Sequence, residues 1–516
     1  MAAIHTANVI HKDINPSNII LNPITGQLKI IDFGISTLVT PSNPTLKNPD
    51  VLEGTLAYIS PEQTGRMNRS LDYRTDFYSL GVTFYELLTG KLPFETNDAL
   101  ELVHCHIAQR PIPPHQLVEA EDGTSMLKAI SDIVMKLMEK TAEERYQSAW
   151  GLKADLEECL YQLQTNGKIE PFPLGSTDIS DKFQIPQKLY GREAEVKTLL
   201  AAFERVAGGG GEGEKGRGGE ENLQLSIPNP KSKIEMMLVR GYSGVGKSAL
   251  VQEIYKPLTE KRGYFLTGKF DQFKRNIPYS AIVSAFGGLV QQLLTETEAQ
   301  LEQWREKLRC ALGSNAEVII DVIPEVELIV GKQPPIPELG AAESQNRFHL
   351  VFQNFIRTFC IKEHLLVIFL DDLQWADFAS LKLIELMITD ADTQYLFLIG
   401  AYRDNEVSST HPLMMTLDRL LNLQVTVNFI TLAPLESESI NQLIADTLHA
   451  DIASVRHLAS LIVRKTEGNP FFVNQFLRTL HTDNLLSFNF EFNAWQWNLA
   501  QIQAMNITDT AKRLLE

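Results

Sequence analysis

Two sets of residues in this chain have the types and spacing to handle phosphate. The first is His11-Lys12-Asp13-Ile14-Asn15-Pro16-Ser17-Asn18, followed by Asp32-Phe33-Gly34 at the end of the apolar run Leu28-Lys29-Ile30-Ile31. A loop aspartate can accept the proton of an attacking hydroxyl, while an asparagine and a second aspartate hold the metal that bridges phosphate oxygens. Asp13 is the candidate base, and Asn18 and Asp32 are the candidate metal ligands. The second set is Gly241-Tyr242-Ser243-Gly244-Val245-Gly246-Lys247-Ser248, which fits G-x-x-x-x-G-K-[ST] in full. Gly241, Gly244 and Gly246 let backbone N–H groups turn inward around phosphates. Lys247 would reach the β- and γ-phosphates of ATP, and the Ser248 hydroxyl would ligate Mg²⁺. Downstream, Leu366-Val367-Ile368-Phe369-Leu370 delivers Asp371-Asp372. Asp371 suits Mg²⁺ coordination through water. Asp372 stands where a carboxylate polarises the attacking water, and with one methylene less than Glu it predicts slow hydrolysis. The rival reading of the two acids is a strand end followed by a helix cap.

These residues need particular elements to hold them. Strand-like runs at Ile234–Arg240, 264–268, 365–370, 395–401 and 425–432 alternate with helical patterns such as 279–294 and 347–361. Such alternation predicts a parallel sheet covered by helices on both faces. The glycine loop follows the first of these strands and opens a helix over 249–255, the context the motif requires. Residues 1–165 form a separate block, and 166–188 read as a linker. The α/β block spans 189–433 and carries a glycine-rich insert at 207–232, too poor in apolar residues to order itself. Residues 434–516 read as a smaller helical, lid or winged-helix-like region with a hairpin near 488–497. Trp495 and Trp497 alternate there with polar neighbours, as on a strand with one buried face. His104-Cys105-His106 reads as helix packing, because adjacent helical side chains diverge.

The first block resembles the C-terminal lobe of bacterial serine/threonine protein kinases. Besides the two loops, Gly54-Thr55 and Ser60-Pro61-Glu62 resemble the end of an activation segment. Asp76 matches the buried aspartate that steadies the catalytic loop, and Arg145 the arginine that pairs with Glu62. Three positions depart from the family: Lys12 replaces Arg, Asn15 replaces the Lys that contacts the transferred phosphate, and Ser60 replaces Ala. Weaker turnover follows from Asn15, and weaker coupling to a phosphate on the segment, for instance at Thr45, follows from Lys12. Only ten residues precede His11, so the ATP-clamping lobe is expected to be missing, phosphotransfer absent and an apolar face uncovered.

The second block resembles the signalling branch of AAA-type ATPases, regulatory P-loop domains with a C-terminal helical lid. Gly191-Arg192-Glu193 matches the opening motif of that family, and Asp371-Asp372-Leu373-Gln374-Trp375-Ala376-Asp377 its acidic motif. Arg403 resembles the nucleotide-sensing position, with a plain salt bridge as the alternative. Gly468-Asn469-Pro470-Phe471 resembles the lid motif, with a helix–helix turn as the alternative. In order, the two blocks resemble large bacterial hybrid kinases that continue into sensor (GAF) and histidine kinase domains. Gly268-Lys269-Phe270-Asp271-Gln272-Phe273-Lys274-Arg275-Asn276-Ile277-Pro278-Tyr279-Ser280, and the stretch from Trp495-Gln496-Trp497 to Ile507-Thr508, carry that likeness. The resemblance implies a signalling enzyme with ATP and Mg²⁺ as cofactors and a protein substrate. A scaffold whose kinase lobe docks a partner is the alternative. It also implies assembly of copies through the ATPase domain, in no fixed number.

Composition narrows the field. The 516 residues carry 47 basic and 64 acidic side chains, a net charge of −17. That balance argues against a nucleic-acid or anionic-membrane surface. Cys105, Cys159, Cys310 and Cys360 are far apart, so neither a disulfide framework nor a zinc site is expected, which suits the cytoplasm. No apolar run approaches the roughly 18 residues of a membrane span, and the ending at Leu514-Leu515-Glu516 reads as mid-helix.

Overall fold

The computed structural model describes residues 1–39, 53–65, 69–96, 98–118, 124–208, 234–275, 277–294, 296, 298–489, 491–492 and 494–505. Thr45, Asn276, nearly all of the glycine-rich insert, and Ile507, Thr508 and the expected terminal helix lie outside them. The chain forms two compact units, Met1–Tyr190 with Leu435–Glu516, and Gly191–Pro434.

In the first unit, short antiparallel pairs frame the catalytic loop. Strand β1 (Val9–Ile10) pairs with β4 (Thr37–Leu38), and β2 (Ile19–Leu21) with β3 (Leu28–Ile30). Residues 11–18 therefore leave one pair and enter the other. Helices Thr75–Thr89, Thr124–Leu137 and Ala149–Asn166 supply the mass of the lobe. They close on a core that includes Phe77, Leu80, Ile133, Leu137 and Tyr146. Ile20, Leu21, Leu28 and Phe33 are exposed. Residues 166–188, expected as a linker, are fastened to this lobe. The Asp178 carboxylate accepts from the backbone N–H of Gln147 and Ser148 and from the Ser148 hydroxyl, which itself caps the helix that starts at Ala149.

The second unit is built on five parallel strands: β5 (Ile234–Arg240), β6 (Tyr264–Lys269), β7 (Leu366–Asp371), β8 (Leu396–Tyr402) and β9 (Val427–Thr431). Their order is β6-β7-β8-β5-β9. β5, β7 and β8 are buried almost throughout, as strands covered on both faces must be. β8 thus lies between the strand of the glycine loop and the strand of Asp371. All their C-terminal ends meet at one edge, where ligands of open α/β sheets bind.

Two helices differ from the sequence pattern. The helix after the glycine loop covers only Lys247–Gln252, and a second runs Tyr255–Glu260. Pro257 has no N–H for the Glu253 carbonyl, so a continuous helix cannot form across the join. The helix expected over 347–361 instead spans Ala341–Arg357, capped where the Glu343 carboxylate accepts from the Gly340 N–H. Its first turns, Ala-Ala-Glu-Ser-Gln-Asn, carry few apolar residues, so periodicity shows only from Phe348 onward.

Residues 435–516 contribute helices Ser437–Leu448, Ile452–Thr466 and Pro470–Thr482. A hairpin of β10 (Leu486–Asn489) and β11 (Ala494–Trp497) follows, then helix Leu499–Ala504. Trp495 is buried and Trp497 half-buried, the one-sided strand that the alternation predicts. Among the described residues, no helix is long and apolar enough to cross a membrane.

Candidate functional site

The catalytic loop is held by a buried carboxylate at the start of the helix Thr75–Thr89. Asp76 accepts from the backbone N–H of His11 at 2.9 Å and of Lys12 at 2.8 Å, and lies 2.9 Å from His5 Nε2. Lys12 has φ +69°, a left-handed conformation that L residues enter at a cost. The two charge-assisted bonds before its Cα and the Gln63 amide, which donates to the Lys12 carbonyl at 2.8 Å, offset that cost. Asp13 then faces outward. Its Oδ1 accepts from the Thr55 N–H at 2.9 Å and its Oδ2 from Asn18 Nδ2 at 3.0 Å. Asn18 also donates to the Asp13 carbonyl at 2.9 Å. Asn15, in the place of the usual lysine, caps the turn Pro16–Asn18 by accepting from the Ser17 N–H.

Asp32 lies on an exposed stretch at φ +62°, with its carboxylate on the Gly34 N–H at 3.2 Å. No hydrogen bond ties it to Asp13 or Asn18. The link between the loops comes instead from His11, whose ring stacks edge-on against Phe33 at 4.8 Å and lies 3.0 Å from the Ile31 carbonyl. The structure thus brings Asp13 and Asn18 together and leaves Asp32 adjacent through backbone. Behind the site, Arg145 and Glu62 form a buried two-bond pair at 2.6 and 2.8 Å. Burial alone would raise the Glu62 carboxyl, but the Arg145 guanidinium outweighs it and holds the group below its ordinary range.

The second site stands on the sheet edge. Gly241, Gly244 and Gly246 all have positive φ. At +100°, Gly246 occupies a conformation that a Cβ would strain, just before the helix begins. Lys247 donates to the carbonyls of Gly241 and Tyr242 at 2.7 and 2.9 Å. Burial lowers its ammonium pKa below the ordinary lysine value, against the pull of Asp371. The Ser248 hydroxyl donates to Asp371 Oδ2 at 3.0 Å, although 123 residues separate them. A hydroxyl and a carboxylate so placed fit a Mg²⁺ ion that takes its other ligands from phosphate and water. Among the described residues, no group of three or more His, Cys, Asp or Glu side chains converges to hold a metal by itself.

Asp372 stands at the N-cap position of the short 3-10 turn Leu373–Trp375, without a side-chain capping bond. Asp377 caps the next helix, Phe378–Thr389, by accepting from the Ser380 N–H, so neither Asp371 nor Asp372 serves as that cap. Asp372 is buried, at φ +55°, and accepts from Gln374 Nε2 at 2.8 Å. Two cations also meet it at 3.4 Å, Arg403 on Oδ1 and Lys269 on Oδ2. Arg403 directly follows β8, which places it between the glycine loop and the acids. It pairs with Glu406 at 2.9 Å and lies over the Trp375 ring. It therefore makes the ion pairs of the plain alternative, one of them with a site carboxylate. Arg192 of the opening motif is buried and donates to the carbonyls of Val245 and Ala433, bracing the glycine loop from behind. Asn469 caps the helix Pro470–Thr482 from within a turn, as the alternative for that motif has it. Lys269, Gln374 and the bracing bonds of Arg192 received no role from the sequence pattern. The one usable signal was that Lys269 ends a strand at the ligand-binding edge.

Comparison with known families matches both parts of the chain. Residues 1–156 match the protein kinase domain and residues 223–399 the AAA ATPase domain. The chain carries both. Hybrid signal transduction histidine kinase G of Dictyostelium discoideum is 33% identical over 542 residues, covering 88% of this chain and 15% of that protein. Peroxide stress-activated histidine kinase mak3 of Schizosaccharomyces pombe is 23% identical, over 87% of this chain and 21% of its own length. Serine/threonine-protein kinase PknB of Mycobacterium tuberculosis is 35% identical over 155 residues, 30% of this chain and 23% of its own. The chain spans less than a quarter of each. Of these three, the proteins of Dictyostelium discoideum and Schizosaccharomyces pombe match most of the chain.

Proposed function

We propose that residues 191–434 bind MgATP on the loop 241–248 and hydrolyse it slowly, and that this ATPase regulates the kinase domain of a signalling protein. The observation that carries the reading is the 3.0 Å contact of Ser248 with Asp371, at the end of a strand one removed from that of the glycine loop. When bound, Mg²⁺ supplies charge neutralisation between phosphate oxygens. The chain's own part is positional. Backbone N–H groups of the glycine loop and the Lys247 ammonium hold the phosphates, Asp371 and Ser248 orient the metal, and Asp372 takes the proton of the attacking water.

In the kinase domain, Asp13 is the base for a serine or threonine hydroxyl of a protein substrate, with Asn18 and Asp32 toward the metal. Asn15 lowers the rate, since an amide cannot offset phosphate charge as an ammonium does. The names of the relatives support a whole protein that passes the signal on to a histidine kinase. The four free cysteines suit a cytoplasmic setting, and copies assemble through the ATPase domain.

A second reading, an ATP-gated scaffold that docks a partner, draws on one observation. The Asp372 carboxylate is engaged by Gln374, Lys269 and Arg403, which favours binding with little turnover. Steady-state ATP hydrolysis and nucleotide titration decide between them. Lys247→Ala should weaken nucleotide binding roughly 10- to 100-fold, as loss of a charged hydrogen-bond donor implies. Turnover that disappears with it supports the enzyme. Tight binding by the parent protein without turnover supports the scaffold, and equal binding by parent and variant sinks both.

A further inference from the structure

We infer that Lys269 is a nucleotide-binding residue that distinguishes ATP from ADP by exchanging Asp372 for the terminal phosphate. The inference rests on the reading of 241–248 as an ATP site. Lys269 is the last residue of β6 and is the register partner of Asp371 on β7. Its backbone is pinned on both sides. Gly268 has no room for a Cβ, which would lie 2.2 Å from the Ala281 carbonyl oxygen. Phe270 is buried, and its N–H donates to the Asp371 carbonyl at 3.1 Å. The side chain between these anchors is 68% exposed, yet its ammonium lies 3.4 Å from Asp372 Oδ2. A fixed root and a mobile, solvated tip are what a ligand-following cation needs.

The energetics favour exchange. A lysine–carboxylate contact at 3.4 Å with the lysine largely in water contributes little stability, so leaving it costs little. Asp372 keeps the Gln374 amide at 2.8 Å and the Arg403 guanidinium when Lys269 departs. A terminal phosphate is the stronger acceptor, because it concentrates more charge on its oxygens. Lys247 sits on the Gly241 and Tyr242 carbonyls and Lys269 on Asp372, so the two lysines would approach the phosphates from different elements. ADP lacks the group that Lys269 would reach. Moving Lys269 away also relieves one of the contacts that hold Asp372, the carboxylate assigned to the attacking water.

The test is calorimetric titration of the full 516-residue chain with the magnesium complexes of AMP-PNP and ADP. Lys269→Ala should weaken AMP-PNP roughly tenfold, the value of one charged hydrogen bond, and leave ADP within about twofold. Lys269→Arg should restore most of the difference. Asp372→Asn, which removes the competing acceptor, should tighten AMP-PNP several-fold only while Lys269 is present, a coupling read from the double variant. Equal losses for both nucleotides, or none, overturn the inference and make Lys269 a surface partner of Asp372. Parent protein that binds neither nucleotide overturns the ATP-site reading and this inference together. Binding by the parent that is lost in Lys247→Ala, but unchanged in Lys269→Ala, overturns this inference alone.

Discussion

The two phosphate sites of this chain are built in opposite ways. The catalytic loop draws its chemistry from a short run of sequence, residues 11–34, and is held by groups that do no chemistry: Asp76 beneath the loop and the Glu62–Arg145 pair behind it. The glycine-loop site draws single residues from 248, 269, 371, 372 and 403, and brings them together by strand order alone. In the first site Asp13 meets neutral donors, Thr55 N–H and the Asn18 amide. In the second, Asp372 meets two cations that can change partners. A site on local loops depends on buried anchors for its shape. A site on a sheet edge has its shape from the backbone and keeps its side chains free to respond.

The sharpest way to break that comparison is to remove an anchor. Arg145→Met leaves Glu62 buried without its partner, which should cost about 3–5 kcal/mol. Denaturant unfolding followed by hydrogen exchange should place the loss in the kinase lobe and leave protection of β5, β7 and β8 unchanged. A loss spread evenly over both units would mean that the anchors are not specific to one site.

Acidification should act on the first unit in a related way. His106 is buried against Tyr78, and burial, with Lys140 nearby, pushes its pKa down to about 3. A histidine with a lowered folded pKa contributes stability that is complete above its unfolded value near 6.5 and falls as pH drops toward 3. The slope should approach about 1.4 kcal/mol per pH unit, and it should disappear in His106→Gln. A melting series from pH 7 to pH 5 measures it, and an unchanged slope in the variant would assign the titration elsewhere.

The smallest effect sharpens the sheet-edge side. Gly246→Ala places a Cβ at φ +100°, beyond the left-handed conformation for which an L residue already pays about 1–2 kcal/mol. Nucleotide affinity should fall by more than overall stability, because the strain is borne by the loop that holds phosphate. Thermal shift with and without MgATP separates the two, and equal shifts would deny the loop its binding role.

Much of this was legible from residue types. The five strands appear in the sequence within one or two residues of their ends; β5, β7 and β8 do so because a strand buried on both faces reads as an unbroken apolar run. The glycine loop is legible because positive φ at 241, 244 and 246 demands glycine. The helices were less so: Pro257 broke one without disturbing its apolar pattern, and polar first turns hid the start of another. Asp377 as the true helix cap could not be told apart from Asp371 and Asp372 by type alone.

The sequence by itself determined which chemistry is present, since carboxylates, a lysine and glycines at these spacings serve phosphate and little else. Tertiary structure decided who meets whom. Strand order set β8 between β5 and β7 and so aimed Arg403 at Asp372. The register of β6 on β7 brought Lys269 to the same carboxylate, and the docking of 166–188 turned an expected tether into part of a lobe. The reason is physical. Residue type fixes what a side chain can bond, whereas its partner depends on packing contacts between segments from about thirty to more than a hundred residues apart, which no local spacing records.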